Sequence, residues 1–211
     1  MAKRPITYEN DYRGYPINTV KERGLGCDKR FLEKYRNHVD DMSDRHSKVM
    51  QVRFDLRYPS DGSVKFNPRH ISRLGWYLTR HFDRDNSTPH SVDLRFRWSC
   101  EQKECVPRPH YHCVVLVNGN AIKSEYAIFK QVERYWRIVL ETSHGGLVDY
   151  CNKKRDGSRQ ENGMMYRRGA ENAQEILEKM QYQASYLAKT RDKDGLSKGA
   201  WIEGGSRLPK K

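Results

Sequence analysis

The chain has 211 residues, with 40 Lys and Arg against 27 Asp and Glu, a formal net charge of +13 and a hydrophobic fraction of only 36%. That length suits one domain, and the charge makes a polyanion, nucleic acid before an anionic membrane, the expected partner. No apolar run approaches the roughly 18 residues of a membrane span and no signal-peptide core follows Met1, so a cytoplasmic protein without membrane contact is expected.

Residues 1–26 mix charge, Gly, Pro and Asn without a period and read as a basic arm, mobile or docked only on a partner. A helix is predicted from Asp28 to about Ser47, with Phe31, Leu32, Tyr35 and Val39 at helical spacing. Val49 to Tyr58 then alternates, Met50, Val52, Phe54, Leu56 and Tyr58 against Gln51, Arg53, Asp55 and Arg57, as a half-buried strand does. Pro59 to Gly62 is a turn, and Asn67-Pro68 opens a helix to about Phe82 that points Ile71, Leu74 and Leu78 inward. Val92 to Glu101 repeats the alternation, setting Val92, Leu94, Phe96, Trp98 and Cys100 against Asp93, Arg95, Arg97, Ser99 and Glu101. Arg53, Arg57, Arg95 and Arg97 thereby share the polar side of two strands, a surface suited to tracking a DNA strand.

His110 to Val117 is apolar on both faces, as a central strand is, and Asn118-Gly119 ends it in a turn. A helix from about Ser124 to Leu140 buries Ile128, Phe129, Val132, Tyr135, Trp136 and Val139. Leu147 to Cys151 reads as a short strand, Asn152 to Gly169 as polar loop, and Asn172 to about Thr190 as the last helix. Residues 191–211 form a basic tail. The order predicts an α+β fold for residues 27–190, with a largely antiparallel central sheet and helices packed on one face.

His110 and His112, two apart on a strand, project to one side and can reach one cation. If the strand ending at Glu101 is their neighbour, its carboxylate converges with them, and two imidazoles with one carboxylate leave a divalent ion with open positions that can polarise a phosphate oxygen. On the last helix, at about 100° per residue, Tyr182, Tyr186 and Lys189 share one side, opposite Ile176, Met180, Ala184 and Leu187. The core face is thus already filled. These tyrosines are incidental surface residues, platforms for base stacking, or nucleophiles that turn a phosphodiester into a phosphotyrosine while conserving the bond energy for resealing.

The segment from Pro109 to Asn118 resembles the His-hydrophobic-His motif of HUH endonucleases, and Tyr182 to Lys189 resembles their tyrosine motif in its two-tyrosine, replication-initiator form. With Val52-Arg-Phe-Asp-Leu-Arg-Tyr-Pro59 and Ser185-Tyr-Leu-Ala-Lys189, the chain is similar, over roughly residues 30–205, to prophage-encoded relatives of the filamentous-phage gene II replication protein. The resemblance implies a nickase and strand transferase that starts rolling-circle replication at an origin in single-stranded or extruded DNA with Mg²⁺ or Mn²⁺, a host helicase supplying unwinding. It implies His110, His112 and Glu101 as metal ligands, Tyr186 as principal nucleophile, Tyr182 as the second, Lys189 as their companion, and a last helix lying over the metal-bearing sheet.

Three other readings compete. Cys100, Cys105, His110, His112 and Cys113 could form a zinc cluster, but Cys100 and Cys113 project away from Glu101 and His112. A two-His-one-carboxylate iron oxygenase shares the ligand set and explains neither the charge nor the tyrosines. A non-catalytic HUH-fold DNA-binding protein, an origin-binding repressor or decoy, would keep the motifs without the chemistry.

Overall fold

The computed structural model describes residues 4–84, 87–102, 108–154, 156–191 and 201–208. The N-terminal segment carries three two-residue strands, β1 (Ile6–Thr7), β2 (Asp11–Tyr12) and β3 (Tyr15–Pro16), and a 3₁₀ turn at Lys21–Arg23. Where an arm without regular structure was expected, β2 and β3 form a hairpin and β1 pairs with β4 (Cys27–Asp28). The segment is tied to the domain by the buried Ile17 side chain.

Helix α1 (Lys29–Arg45) starts where Asp28 accepts the Arg30 N–H, an N-cap that satisfies one of the open donors of the first turn. It leads to β5 (Lys48–Leu56), α2 (Arg69–Asp83), β6 (Arg95–Glu101) and β7 (His110–Asn118). Next come α3 (Glu125–Leu140), capped by Ser124, then β8 (Val148–Asp149), β9 (Met164–Arg167), α4 (Ala173–Ser185) and β10 (Glu203–Gly205). β5, β6, β7, β8, β9 and β10 form one six-stranded antiparallel sheet in which β7 lies between β5 and β6. β8 and β9 both pair with the outer side of β5, and β10 pairs with β6. The expected α+β class, antiparallel sheet and central position of the histidine strand are all present.

Helices cover both faces of the sheet, not one. α2 and α3 pack on Met50, Val52, Phe54, Leu56, Phe96, Trp98, Tyr111, Cys113 and Val115. α1 and α4 pack on Val49, Val114, Leu116, Met164 and Tyr166. The strands predicted as half-buried are therefore buried on both sides, with Gln51 fully enclosed and Arg53 and Arg97 nearly so. The alternation of polar and apolar residues is real, but here the polar side meets partners from distant segments instead of water.

Three local boundaries also differ from expectation. The stretch taken as polar loop contains β9, whose four residues pair with Lys48 to Gln51; four residues are too few to display a period. The basic tail supplies β10. The last helix stops at Ser185 and tightens into a 3₁₀ turn over Tyr186–Ala188, so Tyr186 sits at the helix end and not within it. Among the described residues no helix is long and apolar enough to cross a membrane.

Candidate metal centre

Glu101 is the last residue of β6 and His110 the first of β7, and the antiparallel register sets them directly opposite one another. His112, two residues further along β7, pairs with Ser99 of β6 and with Asp55 of β5. Three adjacent strands therefore bring their polar sides to one end of the sheet. The Nε2 atoms of His110 and His112 lie 3.1 Å apart, and Glu101 Oε2 lies 3.1 Å from His112 Nε2 and 3.8 Å from His110 Nε2. Donors bound at about 2.1 Å to one ion are separated by about 3.0 Å at right angles and about 3.4 Å in a tetrahedron. The three atoms thus fit one divalent cation, on which they would occupy one side and leave the other open.

Burial and the neighbouring His112 lower the basicity of His110 and favour the neutral imidazole that a metal requires. His112 is raised despite its burial, because carboxylates flank both ring nitrogens: Glu101 at Nε2 and Asp55 at Nδ1, 2.8 Å away. Burial alone would raise the Asp55 carboxyl, but His112 and Arg53 hold it at about 2. A permanently charged Asp55 on Nδ1 fixes which imidazole nitrogen faces the cluster, as carboxylates do behind metal-bound histidines. Sequence reasoning placed Asp55 on the correct side of its strand but gave it no role, since its pairing with His112 depends on β5 being the neighbour of β7.

The turn after α4 sets Tyr186 over this cluster. Its ring meets that of His112 edge to face, with centroids 5.0 Å apart. Two cations flank the same ring, the Arg53 guanidinium carbon 4.2 Å and Lys189 Nζ 4.4 Å from the centroid. Lys189 is buried, and its ammonium is lowered chiefly by loss of water and then by Arg191. Tyr182, one turn earlier, is 48% exposed. The structure therefore gathers His110, His112, Glu101, Tyr186 and Lys189 in one place and leaves Tyr182 facing solvent.

Two sets of polar contacts hold this arrangement. Gln51 receives the Tyr35 hydroxyl and donates to the Met180 carbonyl (3.1 Å) and Gln183 Oε1 (3.0 Å), fastening α4 to β5 inside the protein. The N-terminal segment clasps the turn itself. Asn18 N–H donates to Ser185 Oγ (2.7 Å), Thr190 N–H donates to the Gly26 carbonyl (3.1 Å), and Cys27 bridges to Lys189 across a short antiparallel contact.

The arginines predicted as a DNA-tracking surface are placed otherwise. Arg97 is buried against Glu203 (3.2 Å) of β10, Arg95 pairs with Asp93 (2.7 Å), and Arg53 lies beneath Tyr186 beside Asp55 (3.5 Å). Only Arg57 is largely exposed, near Asp149 (3.2 Å). A buried guanidinium needs a carboxylate to offset its desolvation, so Arg95 and Arg97 hold the sheet edge together and present no open face. The zinc reading also fails for the described thiols. Cys100 and Cys113 are buried in the opposite layer, and burial pushes the Cys113 thiol well up, away from the thiolate that zinc binds. Cys105 lies outside the described residues.

A family model for the YagK/YfjJ C-terminal domain, a prophage-associated family, matches residues 10–198. No curated protein and no solved structure matches the chain.

Proposed function

We propose that this chain, which belongs to the YagK/YfjJ C-terminal domain family, is a metal-dependent single-stranded DNA nickase and strand transferase of the HUH type that initiates rolling-circle replication of a phage or related mobile element. The observation that carries this reading is the Tyr186 ring standing 5.0 Å from the ring of His112, on a cluster whose three donor atoms suit one cation. A bound Mg²⁺ or Mn²⁺ would polarise a phosphate oxygen of the DNA.

His110, His112 and Glu101 would hold the ion, and Asp55 keeps His112 in the orientation that would ligate it. Tyr186 is the nucleophile. Its phenol gives up its proton as it attacks, and the Arg53 guanidinium and Lys189 ammonium beside the ring place positive charge where the phosphate would bind. Attack on phosphorus forms the tyrosine ester and breaks one P–O bond of the strand. The departing end takes up a proton and leaves as a free hydroxyl, and the reverse reaction reseals the strand. Tyr182, exposed one turn earlier, serves a second transfer, and a host helicase separates the strands.

The test is incubation of the full chain with Mn²⁺ and a pool of single-stranded oligonucleotides covering the source element, followed by denaturing electrophoresis. A detergent-stable protein–DNA adduct is expected, lost on chelation and in Tyr186→Phe, and retained in part in Tyr182→Phe. Adduct persisting in the double variant would move the nucleophile elsewhere. DNA binding by the unaltered protein with no adduct on any oligonucleotide would leave an origin-binding protein and end the nickase reading.

A further inference from the structure

With its sheet arginines occupied internally, the protein carries its free positive charge elsewhere. On α2, Arg69, Arg73, Trp76 and Arg80 recur at a 4-3-4 spacing, which places them on one side of a helix, and all four are exposed. On α3, Lys130, Arg134 and Arg137 follow a 4-3 spacing and are exposed as well. The two helices pack side by side through the stacked rings of Tyr77 and Tyr135, whose centroids are 5.1 Å apart. Of these six cations only Arg73 has a carboxylate within 4.0 Å among the described residues, Glu141 at 3.9 Å, itself 81% exposed. Trp76 is 57% exposed. It lines a cleft of about 390 Å³ together with the buried Phe96 and Trp98 and with Trp201, 61% exposed.

We infer that the outer face of α2 and α3 is a second nucleic-acid surface, on the opposite side of the sheet from the candidate metal centre, that takes single-stranded DNA. Phosphates run along the two rows of cations, and an unpaired base stacks on Trp76 at the cleft. Charge complementarity identifies the occupant. Two rows of exposed cations, of which only Arg73 has a carboxylate within 4.0 Å among the described residues, attract a polyanion through counterion release, and an exposed indole among arginines supplies the stacking platform that single strands use. An anionic membrane would want a broad apolar side on one of these helices, whereas most apolar residues of α2 and α3 are spent on the core and Trp76, Tyr126 and Ile138 are the exceptions. This inference is independent of the tyrosine chemistry and holds for a protein that only binds.

The test measures binding of a fluorescent 20-nucleotide poly-dT to the full chain without metal, by anisotropy across a salt series. The triple variant Arg69→Gln/Arg73→Gln/Arg80→Gln should weaken binding at least tenfold and flatten the salt slope by about 2, the share of three phosphate contacts on a single strand. Trp76→Ala should weaken it about 5- to 150-fold, the range for one stacked base, and Trp76→Phe should restore most of it. Equal loss on neutralising Lys21, Arg23 and Lys29, exposed in the N-terminal segment and at the start of α1, would overturn the inference in favour of undirected charge. So would tighter binding of a duplex of equal length, or Trp76-dependent binding to phosphatidylglycerol vesicles without oligonucleotide binding. The poly-dT measurement needs neither metal nor Tyr186, which separates a failure here from a failure of the nickase reading.

Discussion

The two faces of the central sheet are built on different terms. Beneath α2 and α3 the contact is almost wholly apolar, with Trp136, Tyr111, Phe54 and Leu74 among the largest fully buried side chains and Tyr58 and Trp136 packed edge to face. Beneath α1 and α4 the same strands present Gln51, Arg53, Asp55, His112, Arg97 and Glu101, each buried or nearly so; Arg53 lies between Asp55 of its own strand and the Tyr186 ring, and the others meet polar partners from other elements. A methyl group lost from the first face costs packing. An atom lost from the second leaves a buried charge or hydrogen-bonding group without its partner. One sheet thus supplies stability on one side and holds the candidate metal centre in place on the other.

The sharpest separation is expected from Trp136→Ala. Removing the indole should destabilise the fold by about 3–5 kcal/mol in chemical denaturation, while metal affinity of the protein that remains folded stays unchanged. A parallel loss of metal affinity would mean that the two faces are coupled through the sheet.

Acid should act on the polar side. Burial, then Arg97, depress His38 from 6.5 to about 4, outweighing its hydrogen bond with the Ser206 carbonyl (3.0 Å). The native imidazole is neutral while the unfolded one binds a proton below 6.5. Stability therefore falls as pH drops from 6.5 to about 4 and levels off below, a loss of about 3 kcal/mol from this group. His38→Gln should flatten that part of a stability–pH curve. An unchanged slope would assign it to other groups.

Asp55→Asn should lower metal affinity 10- to 100-fold, the usual cost of removing a carboxylate behind a ligating histidine, read by isothermal titration with Mn²⁺. The apolar layer is untouched, so near-UV circular dichroism should keep its native form. If affinity is unaltered, His112 does not rely on Asp55 for its orientation. The smallest effect belongs to Arg57→Gln, which breaks an exposed pair with Asp149 and should change stability by less than about 1 kcal/mol.

Much of this arrangement was readable from local pattern. The four helices, the two alternating strands and the mostly apolar histidine strand each span enough residues to show their pattern, and the Glu101, His110 and His112 triad followed from parity along strands once two strands were taken as neighbours. Asp55 was legible as a residue on that same side but not as the partner of His112. Tyr186 and Lys189 were singled out with Tyr182 by helical spacing, yet only two of the three stand at the cluster. The cause is the 3₁₀ turn, which contacts from Asn18 and Cys27 clasp at Ser185. The arginines misled for a related reason. A strand's alternation reports which residues are polar, not whether water or a carboxylate far along the chain will meet them.

The sequence by itself determined the class of fold, the helix and strand periods, the excess of positive charge and the donor chemistry of the metal cluster, because each is a property of residue type and near-neighbour spacing. Tertiary structure decided strand order, the burial of Arg53 and Arg97, the pairing of Asp55 with His112 and the placing of Tyr186 over the imidazoles. Those depend on segments separated by up to 167 residues, as between Asn18 and Ser185, and no local pattern encodes which distant surface will close over a given strand.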